Sequence, residues 1–531
     1  MTIQERITAL RSLMREKNID TYIVPSSDNH QSEYVGDHFK AREFITGFTG
    51  SAGTAVITQT EAGLWTDGRY FIQAEAELAG SDITLYRIGN PGVPKLDEYL
   101  DSILQENGCL GFDGRVISMS RGMDFEKKFA YKKIRIEDQY DLIGDIWADR
   151  PPMSVNPVFA LAENYTGEPT YSKIERVREE MRKANATVHL LITLDDIAWL
   201  LNFRGSDVAY TPVVLCYAII TLECVHLFVD ETKFSDEIKH DLEKNGVVFH
   251  PYNDVYDFTK TLSSEEVVLF DPARLNYALY NNIPASVKRV EELNPSILMK
   301  AIKNDVEVEN IKKAHVKDAV AQIKFMYWLK NSIGKETITE LSASDKLEHF
   351  RAEQDGFLLP SFDPISAFGP HAAIVHYSSS EKTNVEVKEG SLFLMDTGGN
   401  YLEGSTDITR TFAIGEISCE LKRDFTNVLR GNLALSNAEF LYGCSGSNVD
   451  ILARQYLWNE HQDYKHGTGH GVGYLLSIHE TSGRISWHKV DETSWKLEHG
   501  MIITNEPGLY IEGSHGIRLE NELLVRKDVE N

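Results

Sequence analysis

Four acidic residues and a run of histidines in the last third of the chain have the types and spacing to hold cations. In the segment "SLFLMDTGGNYLEGSTDITRTFAIG" an apolar run ends at Asp396, a glycine-bearing turn region follows, and an alternating strand carries Asp407 and Thr409. That pattern predicts a β-hairpin. A register that sets Asp396 opposite Asp407 would aim two carboxylates at one point, which is repulsive unless cations lie between them. A second hairpin is predicted from "MIITNEPGLYI", an apolar strand ending at Glu506 with Pro507 as breaker, and "GIRLENELLV", which carries Glu520 into another strand. Between the two comes "HGTGHGVGYLLSIHE", where His466 and His470 sit in a glycine-rich stretch that lets backbone and imidazole approach a ligand closely, and where His479 closes an apolar run. Four carboxylates with one imidazole form a hard, oxygen-rich set, suited to Mn, Co or Fe and unlike the thiolate sites of structural zinc. Two divalent cations would nearly cancel four negative charges, whereas one would leave excess negative charge in a pocket. Each residue also has a plainer reading. Either aspartate alone is more often a turn or surface residue, the glycines could be turn chemistry, and His479 could be a buried structural histidine.

Positioning such a set takes a large, ordered chain. At 531 residues the sequence exceeds one hydrophobic core, and three domains is the working count. An apolar share of 42% with 25% charged residues is that of a globular protein. The net charge of -26 offers no basic footprint to phosphate backbones or anionic lipid, so nucleic-acid and membrane partners are not expected. The five cysteines are scattered, with no CxxC pair, which points to a reducing compartment. Met1 to Asp20 holds no apolar signal core, and the longest apolar run, Val213 to Ile220, is too short to cross a bilayer. The expected location is cytoplasmic.

Two stretches of the first half resemble one another. Thr2 and Glu5 predict a capping box before Ile3, Ile7, Leu10 and Met14, followed by a strand from Thr21 to Val24. Ser172 and Glu175 predict the same box before Ile174, Val177 and Met181, with a strand from Val188 to Thr193. "ITGFTGSAG" then has a counterpart in "LLNFRGSD", and "LWTDGRYF" in "HLFVDETKF". The expectation is two related α/β domains, 1–150 and 151–302, joined at the proline-bearing "ADRPPMSVNP". A third domain, 303–531, would open on a long helix with Val316, Val320, Ile323 and Tyr327 on one face.

The ordered motifs "DTGGNYLEGSTDITRT", "HGTGHGVG", "NEPGLY" and "GIRLEN" resemble the catalytic domain of the pita-bread metallopeptidases, specifically the cytosolic three-domain aminopeptidase P family. "FTGSAGTAVIT", "LWTDGRYF" and "DDIAWLLNFRGSDV" extend the likeness over almost the whole chain. The resemblance implies two creatinase-like α/β domains followed by an α+β pita-bread catalytic domain. It implies that Asp396, Asp407, His470, Glu506 and Glu520 are metal ligands, with Asp407 and Glu520 bridging two divalent ions. Mn2+ is the first expectation, with Co2+, Fe2+ or Zn2+ as alternatives. It further implies that His376 in "IVHYSS", His466 and His479 handle substrate and protons, that Arg69 in "TDGRYF" reaches the peptide, and that Arg518 and Tyr510 lie beside the metals. Family members of this type continue past the last motif into a further segment, and a homodimer is an expected partner state.

The implied reaction is hydrolysis of the N-terminal Xaa-Pro bond of oligopeptides by a hydroxide between two metals, with Glu506 moving its proton and His376 or His479 donating to the developing charge. A proline nitrogen carries no N–H, so recognition must come from ring shape and the X-Pro bend. The rival readings are a prolidase-like Xaa-Pro dipeptidase, which needs a free carboxylate after proline, a methionine aminopeptidase, a metal-free pita-bread binding module, and metal-free creatine hydrolysis. The long spacing from His470 to His479 disfavours the first, the two preceding α/β domains the second, and five intact ligand positions the two metal-free readings.

Overall fold

A computed structural model describes residues 1–488 and 495–528. Two compact units emerge. One comprises Met1–Ala160, Thr170–Ala209 and Val213–Pro295; the other comprises Leu161–Pro169, Tyr210–Pro212 and everything from Ser296 onward. Among the described residues no helix is long and apolar enough to cross a membrane.

The first unit contains the repeated pattern in full. The helix Ile3–Glu16 carries the Thr2/Glu5 capping box and buries Ile7, Leu10 and Met14 against the first sheet. That sheet runs in the order Thr84–Arg87, Ala62–Thr66, Thr54–Thr58, Thr21–Pro25, Cys109–Phe112, Arg135–Glu137. The second sheet runs Val247–His250, Val225–Val229, Cys216–Thr221, Val188–Leu191, Val267–Phe270, Lys288–Glu291. Strand directions match position by position, with antiparallel pairing in the middle and parallel strands at both edges. The strands in "LWTDGRYF" and "HLFVDETKF" occupy equivalent places. One local expectation fails: the second helix begins at Thr170, so Ser172 lies inside it rather than ahead of it. A serine-to-glutamate spacing recurs within helices as easily as before them, so the motif fixes the helix better than its start.

The second unit has two similar halves. In the first, helices Asp305–Ser332 and Glu340–Ala352 pack Phe325, Leu329 and Leu347 onto a sheet of Ile365–Phe368, Ser391–Thr397 and Ile408–Ile414. In the second, Cys419–Ser436 and Ile451–Trp458 cover the strands around Ile502–Asn505, His515–Arg518 and Asn521–Leu524. Each half therefore backs one antiparallel hairpin with a helix pair. The stripe Val316, Val320, Ile323 and Tyr327 does not face this core: Val316 is 66% and Tyr327 73% exposed. The face turned inward is Ile311, Ala314, Asp318, Ala321, Gln322, Phe325 and Leu329. The two faces are about 180° apart on the helix, both repeat at helical spacing, and period alone cannot choose between them. The inward face tolerates Asp318 because Arg351 and Tyr401 satisfy it at 2.7 and 3.0 Å.

Candidate active site

Each hairpin is interrupted, and the acidic residues sit at the interruptions. In the first, the ladder between Ser391–Thr397 and Ile408–Ile414 stops at Thr397 opposite Ile408 and resumes at Asn400 opposite Ser405. Gly398 fills the break, since a Cβ there would collide with the Thr406 carbonyl oxygen and Ser361 Oγ. In the second, Asn505 pairs with Asn521, the ladder lapses, and Gly508 pairs with Arg518. Glu506 and Glu520 occupy that lapse. The register of the first hairpin differs from expectation: Asp396 faces Thr409, and Asp407 precedes the ladder. The carboxylates still converge because Asp407 is two residues from Thr409, hence on the same face and diagonal to Asp396.

Backbone bonds then press the two hairpins together. Glu520 N–H donates to Thr409 O at 3.1 Å, and Arg518 N–H donates to Thr411 Oγ1 at 3.2 Å. The glycine-rich segment crosses between them. Glu506 N–H donates to Thr468 O at 2.8 Å and His470 N–H to Thr504 Oγ1 at 3.0 Å. Gly469 must be glycine here, because a Cβ would enter the Thr504 carbonyl.

His470 is oriented by its own neighbour. Its Nδ1 lies 2.9 Å from Gly471 O, a contact in which Nδ1–H donates, so Nε2 is the ring nitrogen placed toward the acids. Nε2 stands 3.6 Å from Asp407 Oδ2 and 3.6 Å from Glu506 Oε1. Potential ligand atoms of Asp407, His470 and Glu520 all lie within 4.8 Å of one another. Asp396 adds a carboxylate with divided duties. Its Oδ2 accepts from Arg518 Nε and Nη2 at 3.0 and 2.6 Å, while its Oδ1 is buried with no hydrogen-bond partner.

Electrostatics show what the cluster lacks. Burial, then the neighbouring carboxylates, push Asp407 and Glu520 well above the usual range. Burial likewise raises Glu506 to about 7, against the opposing pull of Arg518. Three such groups packed together resist ionising at once without cations between them. Hard oxygen donors, a neutral imidazole lone pair and an unpartnered buried Oδ1 fit two divalent ions, and the five residues could hold them. His479 stands edge-on to His470, with ring centroids 4.4 Å apart, and its charge acts on Glu506. His466 is placed differently: its Nε2 meets Tyr510 OH at 2.9 Å, and Tyr510 accepts from Arg518 Nη1 at 2.7 Å. A chain His466–Tyr510–Arg518–Asp396 results. His376 follows the short helix Gly369–Ala373, which packs against Gly516 so closely that a Cβ there would meet Ala372 O. Arg69 belongs to the other unit, where Asp67 holds it at 2.9 Å through Nε and Nη2.

Several supports were not among the sequence candidates. Thr409 Oγ1 donates to Glu520 Oε2 at 2.7 Å, and Thr504 Oγ1 to Glu506 Oε1 at 3.4 Å. Each lies two residues from an acid in its own strand, so period-two alternation was the signal that could have found them. Lys303 and Glu480 form a fully buried pair at 2.6 Å beside His479, across a separation that no local pattern reveals. Glu522, also buried, approaches Asp407 and pairs with His315 at 3.4 Å. Burial disfavours the His315 imidazolium, but Glu522 outweighs this and raises its pKa to about 9.

Residues 6–143 and 149–307 each match a creatinase/prolidase N-terminal domain, and residues 309–527 match metallopeptidase family M24. The chain is 39% identical to Xaa-Pro aminopeptidase 1 of Dictyostelium discoideum, over 99% of its own length and 85% of the relative's. It is 38% identical to aminopeptidase P2 of Arabidopsis thaliana, over 99% and 79% of the two chains. Among solved structures, X-prolyl aminopeptidase from Caenorhabditis elegans, described as a cytosolic enzyme with a di-nuclear active site, superposes with a TM-score of 0.94. It shares 33% identity and covers 99% of this chain and 88% of its own. Xaa-Pro dipeptidase from Bacillus anthracis matches less fully, with a TM-score of 0.55, 26% identity, and 67% and 95% coverage.

Proposed function

Because the chain belongs to the Xaa-Pro aminopeptidases of metallopeptidase family M24, we propose that it removes the first residue of peptides whose second residue is proline, with Asp396, Asp407, His470, Glu506 and Glu520 holding two divalent cations. The observation that carries this reading is the convergence of Asp407, His470 and Glu520 within 4.8 Å, with Glu506 3.6 Å from His470 Nε2 and a buried Asp396 Oδ1 that has no hydrogen-bond partner. When bound, such a pair of ions polarises the scissile carbonyl and lowers the pKa of water. The protein's own groups do the rest. Glu506 can accept the proton of the attacking water and return it to the departing proline nitrogen. His376 and His479 donate to the charge that develops on the substrate. The acidic cluster receives the peptide's N-terminal ammonium, which makes the enzyme an aminopeptidase.

The hard, oxygen-rich donor set favours Mn2+ over thiophilic metals. A cytoplasmic location is in keeping with the acidic surface and scattered free cysteines. We assign domains to 1–150, 151–302 and 303–531, support substrate contact by Arg69 on the family resemblance alone, and adopt a homodimer on the same ground. The test is chelation followed by reconstitution with Mn2+, Co2+ or Zn2+, reading ions per chain and cleavage of an X-Pro-Y tripeptide. Two ions with highest turnover in Mn2+ are expected. Full turnover with at most one ion per chain would overturn the bridged site.

A further inference from the structure

Glu340, in the first turn of the helix Glu340–Ala352, is wholly buried, and its carboxylate gathers donors from one stretch of chain. Oε1 accepts from Phe368 N–H and from His371 Nδ1–H, each at 2.8 Å. Oε2 accepts from Tyr377 O–H at 2.9 Å and from Val385 N–H at 3.4 Å. A buried carboxylate is costly unless hydrogen-bonded in this way, and the N-terminal end of the helix adds a favourable dipole. The donors bracket His376. Phe368 ends the strand Ile365–Phe368, His371 lies in the short helix Gly369–Ala373, and Tyr377 immediately follows His376. The Tyr377 ring is stacked on His371 with centroids 4.6 Å apart and is buried with Ala367, Ala372 and Leu394.

The same stretch is keyed to the metal ligands. Ile365 pairs with Asp396 across the sheet, Leu394 lies on the strand of Asp396, and Ala372 O abuts Gly516 on the strand of Arg518. We propose that Glu340 is a positioning residue for the hydrolysis, fixing through Phe368, His371 and Tyr377 where His376 stands relative to the five ligands. This rests on the reading that His376 donates to the substrate. A carboxylate is needed because both of its oxygens face donors. An amide at this position must turn its NH2 group either toward Phe368 N–H and His371 Nδ1–H or toward Tyr377 O–H and Val385 N–H, and so loses acceptance at one end of the stretch. Tyr377 offers a gentler cut, since phenylalanine keeps the buried ring and removes only the hydroxyl that ties it to Glu340.

The test uses the full-length, Mn2+-loaded protein and an X-Pro-Y tripeptide, comparing Glu340→Gln, Tyr377→Phe and His376→Ala with the doubles that join each of the first two to His376→Ala. Glu340→Gln lowers kcat about 100-fold, the cost of misplacing a group by about 1 Å, and Tyr377→Phe lowers it about tenfold. KM and the ions per chain stay within about twofold of wild type. In the His376→Ala background each substitution changes kcat less than about twofold, because the group it positions is gone; a merely structural role would multiply the losses. Should Glu340→Gln fail to fold, Tyr377→Phe and its double carry the test. Wild-type kcat in Tyr377→Phe, multiplied losses in the doubles, or ions lost from a single variant would overturn the proposal while His376→Ala still shows its own loss. Wild-type turnover in His376→Ala would instead remove the role given to His376, and the proposal with it.

Discussion

Replacing Arg518 by lysine isolates what this buried guanidinium does for the metal centre. Arg518 is 2% exposed and holds Asp396 Oδ2 through two N–H groups at 3.0 and 2.6 Å while donating to Tyr510 OH at 2.7 Å. That fork leaves Asp396 Oδ1 buried with no hydrogen-bond partner. Arg518→Met would mix two opposing effects, since losing a positive charge favours cations and losing the fork disorders their ligand. Lysine keeps the charge but offers a compact ammonium that cannot reproduce two parallel bonds and a third to Tyr510. Losing the orientation of a ligand typically costs about 10- to 100-fold in metal affinity, or roughly 1.4 to 2.7 kcal/mol. The expected result is therefore a loss of that size for Mn2+ in Arg518→Lys, measured by competition with a chelator of known affinity, with circular dichroism confirming the fold. Wild-type Mn2+ affinity in the variant would refute the claim that the fork aims Asp396.

His470→Ala should lose bound metal, whereas His376→Ala, His466→Ala and His479→Ala should keep it, as read by elemental analysis. The two histidines assigned as donors, His376 and His479, should lose about 100- to 1,000-fold in kcat; metal loss in His479→Ala matching that of His470→Ala would end the separation of roles. Glu506→Gln should lower kcat at least about 100-fold, because an amide cannot carry the proton. The chelated protein should become more stable as pH falls from about 7 to about 4.5. Glu506 has a folded pKa of about 7 above its unfolded value, so the folded state binds the extra proton and stability declines as pH rises through that window, by on the order of 3 kcal/mol for this group. Metal loading should remove the trend, and thermal unfolding of both forms across pH checks it; the same slope in both forms would contradict it.

The residues that could be read from sequence were those whose chemistry is carried by spacing along one strand or loop. Asp396, Asp407, Glu506 and Glu520 each end or begin an apolar strand beside a breaker, and glycine frames His466 and His470, so their convergence was visible in outline. The duplicated sheets were legible because each repeat keeps helix, strand and turn in one order. What sequence could not supply was choice among equivalents. A hairpin can slip its register, which is why Asp396 faces Thr409 rather than Asp407. A helix with two apolar faces does not say which is inward, and Asp318 turned inward only because Arg351 lies 33 positions away. Lys303 and Glu480 were out of reach for the same reason, being joined by the fold and separated by 177 positions.

A peptide panel tests the central claim most directly. The Mn2+-loaded protein should cleave X-Pro-Y tripeptides and longer X-Pro peptides after the first residue, act far more weakly when alanine replaces proline, and leave N-acetylated peptides intact, with products identified by mass spectrometry. Hydrolysis of X-Pro dipeptides far faster than X-Pro-Y would replace the aminopeptidase by a dipeptidase, and indifference to the proline would contradict the account altogether.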